Sequence, residues 1–215
     1  VPAAISSKGI SALVGLENIR EEDDGIIRLN VKAGEGEAPG LFGLPFADSF
    51  EADETVWTFE QLKGNTGWKI GGSEIFGVSM GAADGKRYLK MNNEKGLLGF
   101  RSVARAISPV IKNDSGNIWL SFMYHNGGRF SVSGTLKVLY KSTMQENWLP
   151  LISFSERNEG WVQYRGFMLA SKEDFQIAFE GEVEAGLLLI DDVKIYSDAA
   201  TSASPIPMKP ASLTC

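Results

Sequence analysis

Two adjacent acids, Asp191 and Asp192, interrupt the apolar segment Gly186–Tyr196 (GLLLIDDVKIY). The apolar and β-branched residues around them alternate in the way that is typical of a buried strand. A buried carboxylate loses its hydration and needs a hydrogen-bond partner or a cation. Either one Asp faces solvent while the other accepts hydrogen bonds from backbone or Arg donors, or the carboxylates bind calcium, which takes about six to eight oxygen ligands.

Aromatic side chains form the second group with recognisable chemistry. Sugar-binding proteins stack pyranose rings on exposed aromatic rings, and an exposed aromatic patch also serves protein contacts. Most of the five Trp residues lie in strand patterns, where a core position is the default. We expect two of them to be exposed, namely Trp68 in a Gly-rich segment and Trp148 after the polar turn 144–147. These two are the candidate ligand-binding residues for carbohydrate or protein.

The sequence contains no motif that identifies a catalytic site. His125 is the single histidine, and it lies beside Gly127 and Gly128 without a nucleophile motif near it. A catalytic triad cannot be recognised from one histidine alone. The Gly-containing segments 34–40 and 64–67 lack the Lys-Ser/Thr ending of a phosphate-binding loop. We therefore expect that this chain is not an enzyme.

Composition argues against several partners. The net charge is -6 at pH 7, whereas binding to nucleic acid requires a basic face. No apolar run approaches the roughly 20 residues of a membrane span. The first residues lack the apolar core of a signal peptide, so we expect either a removed signal or a segment of a longer protein. The single cysteine, Cys215, cannot form an intrachain disulfide or a zinc cluster.

The pattern of apolar residues predicts an all-β fold. About ten short strands separated by turns lie between residues 44 and 197, which is the spacing of an antiparallel two-sheet sandwich. The clearest strand, Asn117–His125, is apolar on both faces, with Trp119 and Met123 on the second face. Such a strand is either covered on both sides or uses one face for contact.

The flanking segments have different compositions. Residues 1–43 hold two short strand patterns around the turn signal Asp24-Gly25, which predicts a small β-ribbon followed by a linker, or the tail of a preceding domain. Residues 198–215 are rich in Ser, Ala and Pro and cannot bury enough apolar area to fold. We expect them to be a disordered linker to a further domain.

The order of motifs over residues 46–197 resembles a MAM domain and its bacterial relatives, the cleaved-adhesin and anchor-associated jelly rolls of surface proteins. The matching positions lie throughout this span: Phe50-Glu51, Trp68, Ser108-Pro109, Phe122–Asn126, Gly134–Leu136, Trp161, Phe175–Gly181 and Ile190–Val193. Animal MAM domains carry disulfides and this span has no cysteine, which favours the bacterial branch. The resemblance implies an antiparallel two-sheet jelly-roll β-sandwich.

The same resemblance implies a place for the acids. In a jelly roll the first and last strands lie side by side, so that Asp48 and Glu51 would approach Asp191 and Asp192. In related sandwiches a calcium ion at this position is structural and ties the two ends of the domain together. Because neighbouring side chains of a strand point to opposite faces, only one Asp of the pair can be the central ligand, and we favour Asp192.

The implied function is a non-catalytic module for binding or adhesion, located outside the cell or on its surface. Its partners would be a carbohydrate or protein ligand and the other domains of a larger secreted or surface protein. The alternative is an accessory C-terminal domain of a secreted hydrolase, because the segment 15–31 (GLENIREEDDGIIRLNV) resembles a stretch that follows the catalytic domain in metalloproteases similar to immune inhibitor A.

Overall fold

The computed structural model describes residues 41–72, 80–93, 101–114, 116–128, 134–170 and 172–198, together with the backbone of the strands that precede them. The chain consists of two compact units, Val1–Leu41 and Phe42–Cys215. The first unit contains β1 (Ala4–Ile5), β2 (Ser11–Ala12), β3 (Val14–Glu21) and β4 (Ile27–Ala33). β1 pairs with β2 and β3 with β4, both antiparallel.

The predicted ribbon corresponds to β3 and β4 of this first unit. Its predicted turn at Asp24-Gly25 lies outside the described residues, and so does the predicted linker 198–215 except for Asp198. The disorder of that linker stays a prediction. No helix in the described part of the chain is long and apolar enough to cross a membrane.

The second unit is built from strands alone in its described part. They are β5 (Phe46–Asp48), β6 (Thr58–Lys63), β7 (Lys69–Gly71), β8 (Tyr88–Asn92), β9 (Ser102–Ile107), β10 (Asn117–Gly128), β11 (Thr135–Ser142), β12 (Leu149–Phe154), β13 (Val162–Ala170), β14 (Phe175–Val183) and β15 (Gly186–Ser197). The six-stranded sheet has the order β13-β10-β15-β8-β7, with β5 also pairing with β15, and the five-stranded sheet has the order β12-β11-β14-β9-β6. The pairings between these named strands are antiparallel, which confirms the predicted two-sheet jelly roll.

The hydrophobic core lies between the facing sides of the two sheets. β10 points Leu120 and Phe122 inward, and the Phe122 ring lies 5.0 Å from the ring of Phe179 on β14. Trp57 stacks on the same Phe179 ring at 5.6 Å and closes one end of the core. Burial of one such side chain contributes about 1.5–3 kcal/mol. Alternation along each strand sends the intervening side chains outward. The outward faces of both sheets are thereby left for other contacts.

Candidate functional site

The acid pair lies at a β-bulge in β15. The neighbour of β15 changes here, because β8 pairs with Leu187–Ile190 and β5 pairs with Val193–Ile195. The pairing of β15 with β10 shifts at the same point, and Asp192 has a φ of 48°. A bulge inserts one residue into the alternation. Asp191 therefore points to the outer face of the six-stranded sheet, whereas Val193 returns to the core.

Asp191 is covered on that outer face by the segment 80–87, which we call the clamped loop. The residue is 0% exposed. Its Oδ2 accepts hydrogen bonds from the backbone N–H groups of Ala83 at 2.8 Å and Asp84 at 2.9 Å. Its Oδ1 accepts the N–H of Asp192 at 2.7 Å. This carboxylate is therefore satisfied by the backbone, which was one of the two interpretations of the sequence.

Glu51 holds the other end of the clamped loop. Its Oε1 accepts the N–H groups of Lys86 at 2.8 Å and Arg87 at 2.6 Å. Between the two anchors Gly85 has a φ of 67°, and a Cβ added there would lie 2.6 Å from the Glu51 carboxyl carbon. The position thus needs glycine both for its left-handed backbone and for space. Two carboxylates, one from each end of the domain, fix one loop.

Environment shifts the pKa values of these two carboxylates in opposite directions. Burial raises the pKa of Asp191 from 3.8 to about 6, against the opposing effect of its N–H partners, and the Asp192 charge raises the pKa further. The pKa of Glu51 is lowered, chiefly by the hydrogen bonds from the Arg87 and Lys86 N–H groups. Asp191 therefore bears the desolvation cost of this arrangement.

The other two predicted ligands have separate partners. Asp192 is half-buried and forms an ion pair with Lys194 at 2.8 Å. Asp48 accepts the Phe50 N–H at 2.7 Å through Oδ1 and the Trp57 indole N–H at 2.8 Å through Oδ2. The sequence analysis favoured Asp192 as the central calcium ligand, which stays a prediction. Of the two acids the structure buries Asp191, because the bulge leaves it on the outer face under the clamped loop.

We then asked whether these acids fit calcium. Within the described residues, no group of three or more His, Cys, Asp or Glu side chains is arranged to hold a metal ion. β5 does lie beside β15, as the resemblance implied, but Asp48 there binds the Trp57 indole. The four predicted ligands do not form one set here, and a calcium ion stays a prediction.

Trp68 does not belong to a ligand site, and our expectation that it is exposed is wrong. It is 3% exposed and belongs to the core, where its indole N–H donates to the Ala104 carbonyl at 3.1 Å. The ring reaches this position because Gly181 has no side chain, since a Cβ at Gly181 would lie 2.8 Å from the indole. The Gly-rich context that suggested exposure does not decide burial.

Trp148 lies half-buried on the outer side of the five-stranded sheet. The Lys141 Nζ is 4.8 Å and the Arg105 guanidinium carbon 5.9 Å from its ring centroid, so both cations interact with the indole. These cations come from β11 and β9, the two neighbours of β14. The ring therefore lies across β14, far from the acid pair in the topology, and its role in ligand binding stays a prediction.

Glu180 is the acidic centre of the same outer side. Its Oε2 accepts from Arg105 Nε at 2.9 Å and its Oε1 from Lys137 Nζ at 3.1 Å. Burial alone would raise the pKa of Glu180, but the hydrogen bonds and charges of Lys137 and Arg105 outweigh it and lower that pKa. This network is a satisfied ionic cluster and has the character of a structural contact.

A second group of aromatic residues lies on the outer side of the six-stranded sheet. The register of β13, β10 and β15 places Phe167, Trp119 and Tyr196 side by side. The Phe167 and Trp119 rings meet edge to face at 5.6 Å, and Phe167 is 50% exposed. Trp119 and Tyr196 are half-buried. We call the outer surface formed by this row and the next two rows, which contain Arg165 and Gln163, the aromatic face.

Polar side chains form most of the next two rows of the aromatic face, with Met123 as the apolar member. The second row is Arg165, Ser121 and Lys194, and the third begins with Gln163 and Met123 and ends at Asp191 under the clamped loop. Arg165 extends across Ser121 to the Tyr196 ring at 5.6 Å. The sequence analysis had placed Trp119 and Met123 on this face. Phe167 and Tyr196 were missed, because only the strand register brings them to Trp119.

Comparison with solved structures supports the fold. The K1 cleaved adhesin domain of Lys-gingipain from Porphyromonas gingivalis is 19% identical with a TM-score of 0.56, covering 73% of this chain and 99% of that domain. The CBM22-1 xylan-binding domain of Xyn10C from Paenibacillus barcinonensis is 14% identical with a TM-score of 0.50, covering 74% of this chain and 97% of that domain. At these identities the likeness concerns the fold alone.

Sequence comparison identifies the family. Neuropilin-1 from Mus musculus is 32% identical over 108 residues, which is 48% of this chain but only 11% of the length of neuropilin-1. The profile of the MAM domain (meprin/A5/mu) matches residues 49–200, which include β6 to β15 and hence both the clamped loop and the aromatic face. The chain therefore belongs to the MAM domain family, and its second unit is a MAM-type jelly roll similar to the cleaved adhesin domains.

Proposed function

We propose that this chain is a non-catalytic binding module of a larger extracellular or surface protein, and that it binds carbohydrate through the aromatic face. The observation that carries the proposal is the row Phe167, Trp119 and Tyr196 on the outer face of the six-stranded sheet, in which Phe167 is 50% exposed and the other two rings are half-buried, flanked by hydrogen-bonding side chains. An exposed aromatic cluster on a folded domain is a feature of ligand-binding surfaces.

The composition of the face favours a sugar over a purely apolar partner. Aromatic rings bury the C–H faces of a pyranose, while planar polar groups pair with its hydroxyls. The second and third rows supply planar groups in Arg165 and Gln163, two and four residues from Phe167, and Lys194 adds an ammonium donor two residues from Tyr196. With strands about 4.8 Å apart and about 6.8 Å between same-face residues, the three rows cover a platform of roughly 10 by 14 Å. This area suits a short oligosaccharide.

The setting of the module is proposed from its similarities. The two similar solved structures are named a cleaved adhesin domain and a xylan-binding domain, and neither name describes a catalytic domain. MAM and adhesin-type domains occur in extracellular proteins, in which they accompany other domains. The sequence alternative, an accessory role beside a secreted hydrolase, is compatible with the same binding activity, because a carbohydrate-binding module can direct an attached enzyme to its substrate.

Glycan-array screening of the full 215-residue chain, followed by calorimetry on the hits, tests the proposal. Trp119→Ala and Phe167→Ala should each weaken binding roughly tenfold, which corresponds to about 1.4 kcal/mol for one lost ring contact. Trp148→Ala decides between the two faces, since that indole lies on the other sheet and is the ligand-binding candidate that the sequence predicted. Melting curves verify that each variant folds. The proposal would be refuted if Trp119→Ala and Phe167→Ala both bound glycan as tightly as the native chain. It would also be refuted if the chain bound protein ligands but no glycan.

A further inference from the structure

We infer that the aromatic face binds an acidic saccharide, and that the guanidinium of Arg165 binds the carboxylate of this ligand. The inference rests on the proposed carbohydrate function and narrows its substrate class. Arg165 is exposed on β13, next to the row of aromatic rings. A saccharide ring placed on Trp119 would extend over the second row, where the Arg165 and Lys194 side chains begin.

The guanidinium of Arg165 is held in place without being neutralised. Arg165 lies opposite Ser121 in the strand register, and its guanidinium carbon lies 5.6 Å from the Tyr196 ring centroid, so the two groups interact. Among the residues that the structure describes, Arg165 forms no ion pair, in contrast to Arg101 and Arg105, which pair with Glu182 and Glu180. An oriented guanidinium offers a fork of N–H donors that matches a carboxylate with two parallel hydrogen bonds.

The acids of this face belong to β15 and the residue that follows it, whereas Arg165 belongs to β13. Lys194 is paired with Asp192, and the carboxylate of Asp198 accepts from Trp119 Nε1 at 2.5 Å and Asn117 Nδ2 at 2.8 Å. These acids belong to the β15 side of the face. β13 (VQYRGFMLA) contains no acidic residue, so an anionic ligand group meets no like charge from that strand. Charge complementarity therefore places the acid group of the ligand at Arg165 and its ring at Trp119.

The ligand class also follows from what Arg165 would do to a neutral sugar. A guanidinium can donate to hydroxyl groups, but a hydrogen bond to a charged acceptor is shorter and about twice as strong. The preference for an acid over its neutral ester should therefore depend on Arg165. The affinity that comes from stacking on the aromatic rings should not depend on Arg165. These two contributions can be separated because the residues lie on different rows.

Calorimetry with trigalacturonate, its methyl ester and a neutral galactotriose, at low and at high salt, tests the inference. A sulfated dextran oligomer is the fourth probe, since an arginine also binds sulfate. We expect the free acid to bind roughly tenfold more tightly than the ester at low salt, because one charged hydrogen-bonded pair is worth about that much. Added salt should weaken binding of the acid but not of the neutral sugars.

The variants divide the contributions. Arg165→Gln should equalise the free acid and the ester, and Arg165→Lys should retain part of the preference through its charge. Lys141→Gln is the control, a cation on the opposite sheet that interacts with an aromatic ring in the same way. Equal affinity for acid and ester, an unaffected preference in Arg165→Gln, or tighter binding of the sulfated probe than of the uronate would overturn the inference. If Trp119→Ala still weakened neutral-sugar binding, the proposed function would stand, and binding to none of the probes would count against both.

Discussion

The free energy of unfolding should depend on pH partly through the buried carboxylate of Asp191. Replacing Asp191 with Asn should remove that part of the pH dependence. Burial raises its pKa from 3.8 to about 6 in the folded protein. Between these values the folded chain holds a proton that the unfolded chain has released. The stabilising contribution of protonated Asp191 to the free energy of unfolding is therefore complete below pH 3.8, and it is lost as the pH rises to about 6. An Asn side chain does not titrate.

The size of the effect follows from the shift. The difference between 3.8 and about 6 is about two pKa units. Since one unit corresponds to about 1.36 kcal/mol, the free energy of unfolding of the native protein should fall by roughly 3 kcal/mol relative to the variant across this range. The Asn carboxamide oxygen can still accept the Ala83 and Asp84 N–H groups, so the clamped loop keeps its anchor.

Urea unfolding followed by tryptophan fluorescence at several pH values between 4 and 7, in chelator, gives the required free energies. The quantity of interest is the difference between the native protein and Asp191→Asn, because it cancels the titration of all other groups. Asp114→Asn is the control, since this exposed carboxylate pairs with Lys112 and is not one of the charges that act on Asp191, so it should leave the pH slope in place. Parallel curves for the native protein and Asp191→Asn would show that Asp191 is not desolvated, and would refute the reasoning.

Three further outcomes are expected. Gly85→Ala should lower the free energy of unfolding by about 1–2 kcal/mol, since its φ is 67° and the new Cβ would meet the Glu51 carboxylate; an unchanged urea midpoint would contradict this. Glu180→Gln should cost about 1–3 kcal/mol at pH 7 by leaving Arg105 and Lys137 without their acid, and the cost should shrink as the pH falls below 4.5 towards the lowered pKa of Glu180, because the stabilisation is lost as this carboxylate is protonated. The predicted calcium ion should raise the melting temperature in excess calcium over chelator, with about 2.7 kcal/mol of stabilisation at a hundredfold excess over its dissociation constant; identical melts would contradict the calcium prediction and leave these acids with the N–H and Lys194 partners described above.

The fold could be predicted because local patterns and long-range structure agree in most strands. In β10 the alternation of Ile118, Leu120 and Phe122 matches their positions in the core, and the second apolar face at Trp119 predicted either a covered face or a contact surface. Alternation needs no knowledge of the partner strand. The pairing of β5 with β15 came instead from the resemblance to a known family, since no local signal specifies which strands meet.

The details of both sites depended on such long-range information. Trp68 is buried because Gly181, which follows it by more than a hundred residues, leaves room for the indole. Phe167 joins Trp119 through the register of β13 with β10, which itself contains an irregularity beside Trp119. A sequence pattern names the residue types of a surface, but it does not determine which of them are neighbours.

The acid pair illustrates how one local irregularity serves two surfaces. Without the bulge after Asp191, strict alternation would turn Val193 away from the core, where it is fully buried. The extra residue keeps Val193 inside, and it leaves Asp191 outside as the acceptor for the clamped loop. Asp191 also ends the third row of the aromatic face, directly beside Met123. The loop that Asp191 holds therefore stands at the border of the proposed ligand platform, so that the stability of the domain end and the shape of the binding face depend on the same carboxylate.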